Sequence, residues 1–372
     1  MMDFSSAKIK RLSDQNVPIP MWLRESGEDG DVAVSTRLRI ARNLDGCRFP
    51  WCATDFELEQ VVQLMHDVSV RMGNLFGGVA MLDADSLSDE ERMDLVAWRY
   101  VSRDWALSEK RRALLILGDG VTSVMVNEED HLRIQAILPG LQVKSVQKHA
   151  QNAEEKIAKH IRLAWSPTFG YLTSSLSNVG LGVRLGVLLH LPGLRYMERI
   201  REVLDAAVLV GCSVRGTYGE GTSEAGDFHL VSNSNRMGGD WGEITGRFIS
   251  AIDFVTNEER EARCLLFGGE KGRVRLEDTC HQAYRYLFDE EPNLTDLLSI
   301  ISVLRLAVAE GALPGRIERT APWIAMTGAE WVRGDADKGR ERYQIIRRTA
   351  MLRQSLRGFI RSVGTLHPSV AN

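Results

Sequence analysis

ALLILGDGVTSVMVNEEDHLRIQAIL, residues 113–138, holds three apolar runs separated by two polar turns. The first two runs meet across Asp119-Gly120, a dipeptide suited to a tight hairpin, and the third, from His131 to Leu138, reads as a further strand. Strands joined through such short turns pair antiparallel, so this stretch predicts a mostly antiparallel sheet. Its second turn is densely charged, with Glu128, Glu129, Asp130, His131 and Arg133 following directly on VTSVMV. Alternation along a strand is expected to put Glu129, His131 and Arg133 on one face. A hydrated turn accounts for Glu128 and Asp130 at least as well as chemistry does. His131 has no partner at metal-ligand spacing and reads as a structural hydrogen-bonding residue.

Working outward, VAVSTRLRIARN (32–43) also alternates, with Val32, Val34 and Thr36 expected on one side and Ala33, Ser35 and Arg37 on the other. Helical periodicity marks residues 56–76, where Leu58, Val61, Val62, Met65 and Val68 form one stripe, and helices are also expected over 141–161 and 197–210. CSVRGTYGEG (212–221) and GDFHLVSNSNRMG (226–238) supply two further strand-and-loop segments. Beyond Asn257 the character turns helical: residues 294–313 are apolar nearly all round, fitting buried core or a dimer interface, and residues 339–363 are strongly basic. The fold class is therefore α+β, an antiparallel sheet flanked by helices followed by a smaller all-helical domain. The segments are an irregular lead-in over 1–31, a sheet-bearing domain over 32–256 and a helical domain over 257–372.

With 372 residues, 44% hydrophobic and 26% charged, the chain has the composition of a globular enzyme. Its net charge of −4 argues against nucleic-acid binding by the chain as a whole. No secretory leader and no run of about 18 apolar residues is present, which predicts a cytoplasmic protein without a membrane span. The five cysteines are scattered without C-x-x-C spacing, so they read as small buried hydrophobes and no metal site is expected.

Short segments around Arg37 and Arg39, Arg133, Arg184, Arg215 and Arg236 carry arginine at strand ends or glycine-rich turns. A guanidinium fork grips phosphate oxygens bidentately, so converging arginines make a polyphosphate site. Phosphoryl transfer asks mainly for alignment and charge neutralisation, which such a site supplies. Neither G-x-x-x-x-G-K-[ST] nor the H-R-D and D-F-G signatures occur, which excludes the P-loop and protein-kinase designs.

VAVSTRLRIARNL, VMVNEEDHLRIQ, NVGLGVRLGVLLHLPGL and RGTYGEGTSEAGDFHLVSN resemble the signature blocks of the ATP:guanidino phosphotransferases, or phosphagen kinases. The likeness runs in order from Val32 to Gly238 and is greatest to the bacterial protein-arginine kinase branch. It implies that residues 32–256 are the catalytic domain, using ATP with Mg2+ held through the nucleotide. It places ATP against Ser35, Thr36, Arg37, Leu38 and Arg39, against Arg133, against Arg184, Leu185, Gly186, Val187 and Leu188, and against Arg215, Gly216, Thr217, Tyr218, Gly219 and Glu220. Glu129 and Glu220 become the catalytic carboxylates. Ser175 stands where the family commonly has a cysteine beside the guanidine, and Tyr100 where it usually has a nucleotide-contacting histidine. The tail near QIIRRTAMLR does not preserve the branch's phosphoarginine-binding motif, so that regulation is not carried over.

Small-substrate members carry a helical domain ahead of the S-T-R block, which here begins at Ser35, so the expected acceptor is an arginine side chain of another protein. A weakened nucleotide- or phosphoarginine-binding protein and a small-guanidine kinase are the alternative readings. The resemblance further implies a homodimer, a McsA-like activator and a ClpC-type chaperone-protease as partners.

Overall fold

A computed structural model describes residues 17–73, 78–176, 178–216, 225–234, 240–327 and 338–363. Its strands are β1 (Ala33–Arg42), β2 (Val79–Asp83), β3 (Ala113–Leu117), β4 (Thr122–Val126), β5 (Leu132–Pro139), β6 (Trp165–Ser166), β7 (Gly170–Tyr171), β8 (Val183–His190), β9 (Cys212–Gly216) and β10 (Phe228–Asn233). The helices are α1 (Asp55–Met72), α2 (Asp89–Ala97), α3 (Arg103–Leu107), α4 (Val143–Ala158), α5 (Pro192–Tyr196), α6 (Ile200–Leu209), α7 (Trp241–Phe267), α8 (Glu270–Asp289), α9 (Leu294–Ala309), α10 (Ala321–Met326) and α11 (Lys338–Val363).

Eight strands form one sheet in the order β2-β3-β4-β5-β1-β8-β10-β9, and every pairing is antiparallel. The 113–138 stretch supplies β3, β4 and β5, with Gly120 at φ +69° closing the hairpin as only a residue free of Cβ does cheaply. A separate hairpin of β6 and β7 hangs beside the sheet.

The two faces differ chemically. One is apolar throughout: Leu38, Ile40, Ile134, Leu185 and Val187 pack against Val62 and Met65 of α1, Val146 and Ala150 of α4 and Phe248 of α7. The other face is apolar at one end only, where Val34, Ile137, Leu188 and Phe228 lie under Leu297, Ile301 and Leu304 of α9 and under Trp22 and Trp323. The opposite end of that face is where the arginines emerge. Alternation in β1 does not run unbroken, because a bulge between Ala33 and Ser35 shifts the register. Val32 therefore joins the first core while Val34 joins the second, against the same-side expectation.

Helix α7 runs unbroken through buried Thr256, the last residue of the expected sheet-bearing domain, and the second core mixes side chains from both of its sides. Sheet and C-terminal helices thus share a core. Helix α9 is apolar all round because this chain itself covers it, with Leu297, Ile301 and Leu306 fully buried, so its apolarity is explained without a dimer. The basic tail makes contacts within the fold: Arg353 donates to the carbonyls of Leu287 (2.7 Å) and Glu290 (2.6 Å), and Arg357 sits over the Phe288 ring. Cys212 and Cys280 are buried as expected, but Cys47, Cys52 and Cys264 are exposed. Among the described residues, no helix is long and apolar enough to cross a membrane.

Candidate active site

Cross-strand register decides which arginines can meet. In an antiparallel ladder, directly opposed residues share a face. Arg39 lies opposite Arg184 of β8, Ala41 opposite Arg133 of β5, and Arg37 opposite Gly186. Arg37, Arg39, Arg133 and Arg184 therefore rise from three neighbouring strands on one side of the sheet. Arg215 shares that side through the row Ser35, Leu188, Leu230, Arg215, but on the edge strand β9. At about 4.8 Å between strands and about 6.8 Å per residue pair, it starts roughly 15–20 Å from Arg39.

One cleft at this end of the sheet is lined by Arg39, Arg133 and Arg184 together with Glu128, Glu129, Asp130, Ser175, Asn178 and Gly182. Burial, then the charges of Arg37, Arg133 and Arg184, push the Arg39 pKa well down, against the pull of Glu128. A guanidinium does not release its proton in a protein, so Arg39 stays charged, and a bound anion would relieve the like charges around it.

The 127–131 turn builds the acidic wall. Asn127 adopts φ +57°, a conformation asparagine tolerates, and its side chain donates to the carbonyls of Leu58 (2.9 Å) and Arg111 (3.0 Å). Backbone bonds from Asn127 to His131 and from Glu128 to Asp130 close the turn. The strand begins only at Leu132, so alternation does not reach back through the turn: Glu129 and Arg133 line the cleft, whereas His131 is buried. There its Nδ1 accepts from the Leu44 amide (3.2 Å), the structural role expected for it.

The hydrated-turn reading of Glu128 and Asp130 is overturned. Glu128 is buried, paired with Arg133 at 2.5 Å and accepting from Ser102 Oγ at 2.6 Å. Asp130 is also buried, and its Oδ1 accepts from Asn43 Nδ2 (2.6 Å) and the Ser174 amide (2.7 Å). Only Glu129 presents its carboxylate openly, held by its backbone: its amide donates to Glu128 Oε2 (3.1 Å) and its carbonyl accepts from Ser174 Oγ (2.8 Å). Ser102 and Asn43 were not singled out from the sequence. Asn43 closes the IARN block directly after β1, and that polar residue at a strand end was the available signal.

The two glutamates are tuned apart. Burial raises the Glu129 pKa, and Asp130 and Glu128 raise it further, with Arg133 opposing. Glu128 is pushed up by burial but pulled down more by the charge of Arg133 and by hydrogen bonds from Ser102 and the Glu129 amide, to about 2. A folded-state pKa below the usual 4.5 contributes stability that is full above 4.5 and lost as pH falls toward about 2. Denaturant midpoints measured across that window should fall with acidification, and Glu128→Gln should flatten the dependence.

Other predicted site residues divide clearly. Ser175 lines the cleft beside Glu129, on a loop whose Asn178 amide donates to the Ser175 carbonyl (2.9 Å). Gly182, at φ +62°, lets that loop pass where a Cβ would lie 2.6 Å from Arg42 Nη1. Leu38, Leu185 and Val187 point into the helix-covered core, and Leu188 lies under the C-terminal helices. The Thr36 hydroxyl is used within the fold, donating to the Gly140 carbonyl (2.6 Å), and Ser35 is buried. Tyr100 is not brought to the cleft: it is fully buried, with its hydroxyl on the carbonyls of Pro18 (2.9 Å) and Gly120 (3.1 Å), and burial drives its pKa far up. Gly216 ends β9, while Thr217, Tyr218, Gly219 and Glu220 lie outside the described residues.

A cationic sheet face meets an open carboxylate in one cleft, so the arginines can hold an anionic group and the glutamate a cationic one. The family model described as the ATP:guanido phosphotransferase C-terminal catalytic domain matches residues 60–262. A protein-arginine kinase of Pelotomaculum thermopropionicum is 36% identical over 305 residues, covering 79% of this chain and 83% of that protein. One from Brevibacillus brevis is 34% identical over 302 residues, covering 80% and 83%. Among solved structures, a lombricine kinase superposes with a TM-score of 0.55 at 20% identity over 65% of this chain and 71% of the other, which shows a shared fold. This chain belongs to the ATP:guanido phosphotransferase family.

Proposed function

We propose that this protein transfers the γ-phosphoryl group of Mg-ATP to arginine side chains of proteins. The observation that carries this reading is the single cleft in which Arg39, Arg133 and Arg184 face the open carboxylate of Glu129. The protein-arginine kinases among its relatives support the choice of acceptor. The donor set fits a polyphosphate: several guanidinium forks on one sheet face, with the Arg39 pKa already displaced in the sense that an anion would relieve. Mg2+ carried by the nucleotide would neutralise part of the phosphate charge, and the arginines would hold the remainder.

A guanidinium has almost no nucleophilic lone pair at neutral pH. Glu129 orients it and accepts a proton from the attacking nitrogen as the N–P bond forms and the bond to the ADP oxygen breaks. A raised pKa makes Glu129 a better base than an ordinary carboxylate. Glu128 acts through Arg133, fixing that guanidinium toward the donor. Glu220 is the second carboxylate by resemblance, and Arg215 lies on the face that would extend the donor site. Protein substrates with exposed arginines, a homodimeric state, a McsA-like activator and a ClpC-type chaperone-protease in the cytoplasm complete this reading.

The test is transfer from γ-labelled Mg-ATP to an arginine-rich protein. The expected product is a phosphoramidate, lost in mild acid and retained in base, and excess free arginine should compete poorly. Acid-stable label, or free arginine labelled as well as protein, would overturn the assignment.

A further inference from the structure

The segment that brings Ser175, Asn178 and Gly182 to the cleft also carries large apolar side chains exposed to solvent. Trp165 is 57% exposed, Phe169 62%, Leu176 90% and Leu181 42%. Clustered exposure of large apolar side chains within one short segment differs from the single exposed leucines of an ordinary surface. The segment is also built rather than loose. Trp165 pairs with Tyr171 and Tyr171 bridges Gly180, so the three residues lie side by side at about 4.8 Å spacing. The Tyr171 ring lies 3.4 Å from the Arg42 guanidinium, which is itself paired with Glu154.

Parts of the same segment reach the cleft. Ser174 is bonded to Asp130 Oδ1 and to the Glu129 carbonyl, and Ser175, Asn178 and Gly182 line the cleft. Leu176 follows Ser175, and Leu181 precedes Gly182. Leu176 and Leu181 therefore adjoin residues of the cleft that holds Glu129.

We propose that Trp165, Phe169, Leu176 and Leu181 form a docking surface for apolar side chains flanking the acceptor arginine of a protein substrate. This rests on the protein-arginine reading above and refines it. A free amino acid brings a charged amine and carboxylate on its short backbone, for which an apolar rim offers nothing. A peptide chain brings neighbours, and those that bury apolar area on the rim gain affinity while the guanidinium reaches Glu129. The contact as a whole is worth about one leucine side chain, or roughly a tenfold effect in kcat/KM.

The experiment compares two end-blocked peptides of equal net charge, each with one arginine, flanked by leucines in one and by serines in the other. With Mg-ATP, the leucine peptide is expected to have the higher kcat/KM by about tenfold. Leu176→Ser and Phe169→Ser should bring the ratio toward one, a readout that partial misfolding does not move because both peptides share each preparation. A ratio of one in the unmodified protein, or a ratio unchanged in both variants, overturns the proposal. Fluorescence anisotropy of the tagged peptides separates the two ideas. If neither peptide is phosphorylated yet the leucine peptide binds about tenfold tighter, the rim stands and the transfer reading falls. Equal binding overturns the rim.

Discussion

Glu129→Gln lowers the rate of phosphoryl transfer by about 10²–10⁴ while leaving ATP affinity near its original value. Glutamine keeps the size of the side chain and one accepting oxygen, so the 127–131 turn, which is held through the backbone of residue 129, is undisturbed. What disappears is the negative charge facing the acceptor and the site that takes its proton. In the proposed reading the donor lies on Arg39, Arg133 and Arg184, and the partner of Arg133 is Glu128, not Glu129. The loss therefore falls on kcat, with nucleotide binding by fluorescence titration unchanged. The pH profile adds a second signature. Because burial, Asp130 and Glu128 raise the Glu129 pKa, activity should decline with acidification from above the ordinary carboxylate range, as the base becomes protonated. Retention of a third or more of the rate in Glu129→Gln would remove Glu129 from the chemistry. Glu128→Gln gives the contrasting pattern, weakening nucleotide binding first, because Arg133 loses the ion pair that fixes its direction.

Short-range pattern carried much of this architecture. The hairpin of β3 and β4, the strands β1 and β5, and the helices α1 and α4 follow from periodicity and turn residues within windows of about 20 residues. The candidate site was legible as residue types at motif positions, and register then explains why Arg39 and Arg184, 145 positions apart by subtraction of their numbers, share a row. Strand β8 was not singled out, because VRLGVLLH reads as a Gly- and Leu-rich run with no alternation, buried on both faces beside β1. Burial of acidic side chains was also illegible. Glu128 owes its environment to Ser102 and Arg133, and Asp130 owes its own to Asn43 and Ser174, 87 and 44 positions away. Charged residues in a turn are usually solvated, and only such distant partners reverse that expectation. Tyr100 failed for a related reason: a motif position fixes where the chain passes, while the neighbouring core decides whether the side chain turns inward.

Glu259→Ala should lower stability by about 3–5 kcal/mol, measured by denaturant unfolding, while the apparent affinity for ATP of the folded protein stays the same. Glu259 is fully buried in α7, accepting from the amides of Gly193 and Leu194 (2.9 Å each) and from Arg263 Nε (2.6 Å). Arg263 in turn donates to the His190 carbonyl at 3.0 Å, tying the helix to the end of β8. Alanine would take the nearest counter-charge from a buried guanidinium, leaving Glu310 at 3.7 Å, and would remove the acceptor of two buried amides at once. Replacing Glu259 and Arg263 together by methionine removes both charges, so the double variant should lose less than Glu259→Ala alone, and a cycle completed with Glu259→Met and Arg263→Met isolates the coupling. The prediction about ATP follows from the strand itself. Arg184 stands at the cleft end of β8 and His190 at the other, roughly 20 Å apart along an extended chain. Between them Leu185, Val187 and Leu189 are fully buried in the first core. That packing holds the strand independently of the ion pair, so damage at His190 costs folding free energy without moving Arg184. A variant that lost ATP affinity in step with stability would show instead that the arginine face depends on the buried pair for its position.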